Sequence, residues 1–223
     1  MYEKYFDSKS QEKMRDVFLQ LSKRGVIKTY EKNSVIRTNK EKSFCIVVEG
    51  KLKQSINSVE GEEKILYILQ SGEIFGEMDY FAGGENQLIV KTLEKSKISF
   101  INEEVMEKVL IENPVIYRNI IHSIIRKFRI VMFQMGNMAF ADAQGKVADT
   151  IIRLYSQGGI DEVEGKVVNE KLTHEEIAKL IGCSRVTVTR ALNKFKDNGL
   201  IEIREGMVII KDIAGLKKYI KWR

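Results

Sequence analysis

Two arginines five residues apart, Arg185 and Arg190 in the run SRVTVTR, are the side chains of this sequence best equipped for specific polar recognition. A guanidinium is a rigid fork of N–H donors that can give two parallel hydrogen bonds to O6 and N7 of guanine, or to a phosphate. Val186 beside them offers only methyl groups, which suit the 5-methyl of thymine. Four hydroxyls, those of Thr173, Ser184, Thr187 and Thr189, lie nearby in the sequence. The seven residues form a candidate set for contacts to DNA. Taken alone, two exposed arginines are an ordinary solvated face, so the elements that carry them decide between the readings.

Thr173 and Glu176 have the spacing of a capping box, in which the hydroxyl takes an exposed backbone N–H and the carboxylate reaches back to the cap. Ile177, Leu180 and Ile181 then share one helical face, and Ala178 is small enough to let a second helix cross closely. Gly182 ends this helix, since glycine enters the left-handed conformation without steric cost. Cys183 fills the turn and Ser184 caps a second helix, predicted from Arg185 to about Asp197 with Val188, Ala191, Leu192 and Phe195 buried. Arg185, Val186, Thr189 and Arg190 fall on the opposite face near its start, the part of a recognition helix that meets base edges in the major groove. After Gly199, LIEIR and MVII flank Glu205-Gly206 as a short hairpin, so the stretch reads as a winged helix-turn-helix.

IGCSRVTVTR, residues 181–190, resembles the recognition element of the cyclic-AMP receptor protein family of bacterial regulators, which includes the fumarate and nitrate reduction regulator. MGNMAFADAQGKVA, residues 135–148, resembles that family's junction between dimer helix and DNA-binding domain, and FCIVVEGKLKQS its barrel core. The resemblance covers nearly the whole chain. It implies an α+β protein with an N-terminal β-barrel of the cyclic-nucleotide-binding, jelly-roll type (1–112), a dimerisation helix and hinge (113–142) and a C-terminal winged helix-turn-helix (143–223). It further implies a homodimeric transcription regulator that reads double-stranded DNA, answers to a small-molecule effector and touches RNA polymerase.

The family's nucleotide site opens with a Gly-Glu pair, matched here by Gly76 and Glu77. Its cyclic-AMP binders then place an arginine and a small hydroxyl residue where this sequence has Gln87 and Leu88. A neutral amide cannot neutralise a buried phosphate, a loss on the order of 2 to 5 kcal/mol. The family's Thr-Ser pair on the far wall matches Val131 and Met132, with Phe128 one turn earlier. A pocket of Gly76, Glu77, Gln87, Leu88, Phe128, Val131 and Met132 suits a less charged effector than cyclic AMP, an aromatic or fatty one; a pocket filled by its own side chains is the competing expectation. Val186 stands where the family uses a glutamate to read cytosine, so an AT-rich inverted repeat is expected.

Composition agrees. At 223 residues, 43% hydrophobic and 30% charged, the chain has room for two modest folded domains. The formal charge of +6 is uneven, with 15 Lys and Arg against 11 Asp and Glu in residues 143–223, and 22 against 20 in residues 1–142. The C-terminal excess suits a polyanionic partner. No run approaches the ~20 apolar residues that cross a bilayer and no signal-peptide pattern is seen, so a cytoplasmic protein without membrane contact is expected. Cys45 and Cys183 are too few for a zinc or iron–sulfur set, and His122 and His174 lie outside the predicted strands, which leaves no imidazole cluster for a cupin-like metal site. No nucleophile with a neighbouring base and no phosphate-cradling loop is found. No catalytic residue, metal or cofactor is expected; the alternative class is a barrel-domain small-molecule sensor or cupin-like enzyme that binds no DNA.

Upstream, residues 10–24 read as an amphipathic helix with Met14, Phe18 and Leu21 on one side. Strands are predicted in VIKTY, SVIRT, SFCIVVEG, KLKQSIN, EKILYIL, QLIVKTL and SKISFI, with Asn33 and Asn39 among the turn residues. Pro114 opens a helix to about Met138, whose stripe of Ile121, Ile124, Ile125, Phe128, Met132 and Met135 is wide enough to meet a second copy of itself. A further helix starts at Ala143, Ser156 to Gly165 reads as a loop with Asp161 and Glu162 at its tip, and GLKKYIKWR reads as a last helix.

Overall fold

The computed structural model describes residues 8–37, 43–84, 87–163, 165–168 and 171–221. The chain runs through α1 (Ser8–Ser22), β1 (Val26–Tyr30), β2 (Val35–Ile36), β3 (Ser43–Glu49), β4 (Lys51–Asn57), β5 (Glu63–Gln70), β6 (Ile74–Phe75), α2 (Glu77–Ala82), β7 (Ile89–Thr92), β8 (Ser96–Asn102) and α3 (Glu103–Glu112). The long α4 (Val115–Phe140) follows, then α5 (Ala143–Gly158), β9 (Ile160–Glu162), β10 (Gly165–Val167), α6 (His174–Ile181), α7 (Arg185–Asp197), β11 (Ile201–Arg204), β12 (Met207–Ile210) and α8 (Ile213–Lys217). Two compact units result, residues 9–128 and the described residues from Arg129 onward, and the division falls inside α4.

In the first unit two antiparallel four-stranded sheets, β1-β8-β3-β6 and β2-β7-β4-β5, stand as separate sheets where a barrel was expected. The continuous apolar run of β3 has the physical reason that both its faces are buried. Cys45 and Val47 point between the sheets with Leu52, Leu69, Phe75, Val90 and Ile98. Phe44 and Ile46, one residue out of phase, point the other way onto Met14 and Phe18 of α1, Met106 and Leu110 of α3, and Ile116 and Ile120 of α4. Asn33 turns at φ 69°, the left-handed backbone that asparagine tolerates. The expected turn at Asn39 lies outside the described residues.

Three short elements of this unit went unread in the sequence: β6, α2 and α3. The segment just before β6 is bonded to two helices. Glu73, 2% exposed, takes Arg15 of α1 at 3.0 Å, Arg126 of α4 at 2.9 Å and the Gln70 backbone N–H at 3.0 Å. Burial alone would raise its carboxyl, but the guanidiniums of Arg126 and Arg15 outweigh it and hold Glu73 below the usual carboxylate range.

In the second unit α5, α6 and α7 bury Val147, Ala148, Ile151, Ile177, Ile181, Val188, Leu192 and Phe195. The stretch read as a loop from Ser156 to Gly165 is instead the end of α5 and the hairpin β9–β10. β10 pairs with β12, so the wing is a four-stranded sheet, β11-β12-β10-β9. The turn between β11 and β12 has positive φ at both Glu205 (51°) and Gly206 (81°), as a two-residue hairpin loop requires. The last helix starts earlier and is shorter than expected: Asp212 caps α8, which ends at Lys217, while Tyr219 leaves the helix to pack edge-on against Phe195 at 4.9 Å. The final turns of α4 are tied to α5 by a buried hydrogen bond from Asn137 Nδ2 to Asp149 Oδ2. Asp142 caps α5 by accepting the Gly145 N–H at 2.8 Å and also pairs with Lys221.

Candidate nucleic-acid interface

The helix-turn-helix is held by local bonds that the sequence spelled out. Thr173 Oγ1 accepts the Glu176 N–H at 3.1 Å while the Thr173 N–H donates to Glu176 Oε2 at 2.8 Å, which completes the capping box. Gly182 takes φ 65° and ψ 48°, and the Cys183 N–H closes the turn on the Ala178 carbonyl at 3.1 Å. Ser184 Oγ accepts the Thr187 N–H at 3.2 Å and lies 2.9 Å from Thr187 Oγ1, so both hydroxyls are engaged in starting α7.

The outer face of α7 is open. Arg185, Val186 and Arg190 are exposed, and neither guanidinium has an ion pair or hydrogen bond among the described residues. The first turn of α7 has no acidic residue, whereas that of α6 has Glu175 and Glu176. A cation close to the positive end of a helix dipole is opposed by about 0.3–1 kcal/mol, a cost that an approaching phosphate removes. On the wing, by contrast, Arg204 and Lys211 are both bound by Glu202 at 3.0 Å, and the Lys211 and Arg204 hydrogen bonds hold that carboxyl below its usual range. Arg185 and Arg190 are therefore unneutralised cations on the outer face of α7. Thr189 is half-buried, and its hydroxyl donates to the Arg185 carbonyl at 3.0 Å and lies 2.8 Å from His174 Nδ1. His174 carries no local signal in the sequence, because its partner is on another helix.

The interior of the first unit holds a second polar constellation. Gly76, at φ 81°, opens α2, and the buried Glu77 that follows pairs through Oε1 with the buried Lys127 of α4 at 2.8 Å. Lys127 also donates to the Ile74 carbonyl at 2.8 Å and lies 5.9 Å from the Tyr67 ring centre. Two successive residues of α4, Arg126 and Lys127, thus hold the carboxylates on either side of β6. The other Glu77 oxygen, Gln54 Oε1 and Ser55 Oγ are buried without a hydrogen-bond partner among the described residues. Burial, then Glu77, pushes the Tyr67 hydroxyl up to about 12. Cys45 is fully buried, and that burial, reinforced by Glu77 and Asp79, drives its thiol far above the usual range. Gln87 is exposed and Leu88 half-buried, so the cation of this interior is Lys127, on a helix read from sequence only for its apolar stripe.

Comparison with known proteins places both units. Residues 27–113 match the cyclic nucleotide-binding domain model, and residues 145–219 match the Crp-like helix-turn-helix domain model. The cAMP-activated global transcriptional regulator CRP of Haemophilus influenzae is 30% identical over 166 residues, 74% of this chain and 73% of that one. The chain belongs to the CRP/FNR family of transcription regulators. A CRP-like cAMP-activated global transcriptional regulator of Mycobacterium tuberculosis is 28% identical over 173 residues, 78% of this chain and 77% of its own. Among solved structures, a CooA mutant from Carboxydothermus hydrogenoformans superposes with a TM-score of 0.79 at 21% identity, covering 91% of this chain and 90% of that one. FixK2 from Bradyrhizobium japonicum superposes at 0.76 and 15%, covering 89% and 98%. These two likenesses concern the fold. As a CRP/FNR regulator the chain carries an N-terminal effector-type domain and a C-terminal DNA-binding domain, and its relatives are regulators rather than enzymes.

Within that family frame, the candidate residues fall into three places. Thr173, Ser184, Arg185, Val186, Thr187, Thr189 and Arg190 come together on α7 and the starts of α6 and α7. Gly76 and Glu77 sit at the polar interior, to which the structure adds Gln54, Tyr67 and Lys127. Phe128 and Met132 are exposed on α4, at 63% and 53%, in one row with Ile121, Ile124, Ile125 and Met135, while Val131 is half-buried. Among the described residues no helix is long and apolar enough to cross a membrane.

Proposed function

We propose that this CRP/FNR regulator works as a homodimer on an AT-rich inverted repeat of double-stranded DNA, governed by a small effector other than cyclic AMP. The observation that carries the DNA reading is the open face of α7, where two unpaired guanidiniums flank Val186 and the first of them stands at the positive end of the helix. The dimer reading rests on the exposed row of Ile121, Ile124, Ile125, Phe128, Met132 and Met135, six large apolar side chains that water solvates poorly and a second copy would cover. Residues 1–112 form the effector domain, 113–142 the dimerisation helix and hinge, and 143–223 the DNA-binding domain. The effector site draws on the polar interior around Gly76 and Glu77. Gln87 brings no charge and Lys127 is already neutralised by Glu77, so neither offers a cyclic phosphate a free cation. The hairpin bearing Asp161 and Glu162 is the surface offered to RNA polymerase. A cytoplasmic location follows from the DNA partner.

The test is electrophoretic retention of the chain's own upstream DNA against random competitor over a salt series. We expect log affinity to fall linearly with log salt, and a competitor-resistant complex of two chains per site. Retention that random DNA abolishes equally well would overturn the sequence-specific reading.

A further inference from the structure

The chemistry of one hydroxyl on α7 decides how its open face reads bases. Thr189 Oγ1 has a single proton, and the backbone carbonyl of Arg185, four residues earlier, takes it at 3.0 Å. His174 Nδ1, 2.8 Å away, is the second partner of the same oxygen: as Nδ1–H it donates to an oxygen lone pair, and in the other tautomer it takes the hydroxyl proton in place of the carbonyl. With its hydroxyl held by two partners, Thr189 has no proton left for a base acceptor. With the oxygen engaged by both partners, the γ-methyl is the Thr189 group that remains for contact with a base. Val186, three residues earlier on the same face, contributes two more methyls, and side chains at this spacing have Cβ atoms about 5–6 Å apart. Stacked bases rise about 3.4 Å per step along a strand, so the two side chains span neighbouring steps.

We propose that Val186 and Thr189 form one methyl strip that selects two neighbouring A·T pairs through thymine 5-methyls, and that His174 is the positioning residue that turns the Thr189 methyl outward. The inference rests on the reading of α7 as the base-reading helix. Neither His174 nor a hydroxyl-independent role for Thr189 follows from the arginine pair, which acts through charge and hydrogen bonds. The strip acts through shape and apolar contact alone. His174 stands at the first position of α6, and the nearby titratable or charged groups are Lys171 before the helix, Glu175 and Glu176 on it, and Arg185 on α7. The wing residues around it are Ile203, Gly206 and Val208, none of them charged.

Selection from random DNA with the full-length chain and four variants tests this. Thr189→Ser keeps the hydroxyl and drops the methyl; Thr189→Val does the reverse. Thr189→Ser should lose roughly five- to tenfold of the A·T preference at one of the two steps and leave the other intact. Thr189→Val should keep both. His174→Ala should relax the same single step as Thr189→Ser, and His174→Asn, whose amide can supply the lost N–H, should restore it. A merely structural histidine would weaken binding at every step together. Loss in Thr189→Val with retention in Thr189→Ser would show that the hydroxyl reads the base and would overturn the proposal, as would identical selections from all variants. Failure of the wild-type chain to select any sequence would overturn the base-reading role of α7, and the strip with it.

Discussion

Glu73→Gln keeps the shape of a buried side chain and removes the charge that α1 and α4 share. In the native unit the carboxylate lies 3.0 Å from Arg15 and 2.9 Å from Arg126, whose side chains are 21% and 9% exposed. Removing one partner of a buried ion pair costs about 3–5 kcal/mol, because the other charge stays desolvated. Arg15 can turn toward water, so Arg126 sets the cost, and we expect about 3 kcal/mol at neutral pH. The pH dependence has a definite sign. Glu73 is held below its unfolded value of about 4.3, so its contribution is complete above that value and is lost as pH falls through the lower, folded one. The gap between native and variant chains should therefore be widest near neutrality and close below about pH 4. The assay is urea unfolding at several pH values followed by far-UV circular dichroism, since the single tryptophan, Trp222, lies in the C-terminal segment. A gap under about 1 kcal/mol at neutral pH, or one that stays constant in acid, would refute the view that this carboxylate locks α1 and α4 to the sheet.

Other outcomes follow from the sites. Arg185→Ala and Arg190→Ala should each remove about 1–3 kcal/mol of base discrimination without shifting the melting temperature, and unchanged site affinity in both would sink the recognition-helix assignment. Val186→Glu should move the preference at its step toward G·C, because a carboxylate accepts from the cytosine amino group; random-DNA selection reads the change directly. Phe128→Glu should reduce the proposed dimer to monomers by light scattering, and a variant of unchanged mass would refute the interface on this row of α4. Cyclic AMP at millimolar concentration should leave the melting temperature unchanged, and a rise of several degrees would mean that the Glu77–Lys127 pair opens to admit a phosphate.

The helix-turn-helix was legible because its determinants are local. Thr173 and Glu176, Gly182, and Ser184 and Thr187 each act within a few residues, so cap, turn and helix start can be read in sequence order. The strands of the first unit were legible one by one through their turn residues. Their pairing was not, since β1 joins β8 across some seventy residues. Lys127 and His174 were missed for the same reason: Lys127 bonds a residue fifty positions away, and His174 bonds across two helices. α3 did carry signals, an Asn102 cap to Val105 and an apolar face of Met106, Val109 and Leu110, but they directly follow a strand whose apolar pattern ran into them. β9 and β10, three residues each, are too short for alternation to register, and they exist as strands because β12 offers an edge.

The two thiols of the chain sit in opposite circumstances, and each can serve as a chemical clock. Cys45 is sealed between the two sheets with its thiol held protonated, so an alkylating reagent must wait until that sandwich parts. Cys183 lies half-exposed in the turn between α6 and α7. In a native sample one equivalent of reagent should add at the turn while the second adds only at the rate of sheet opening. A dye on the first sulfur would report from the DNA-facing helices, and the delay of the second would time the effector domain, in one unaltered chain.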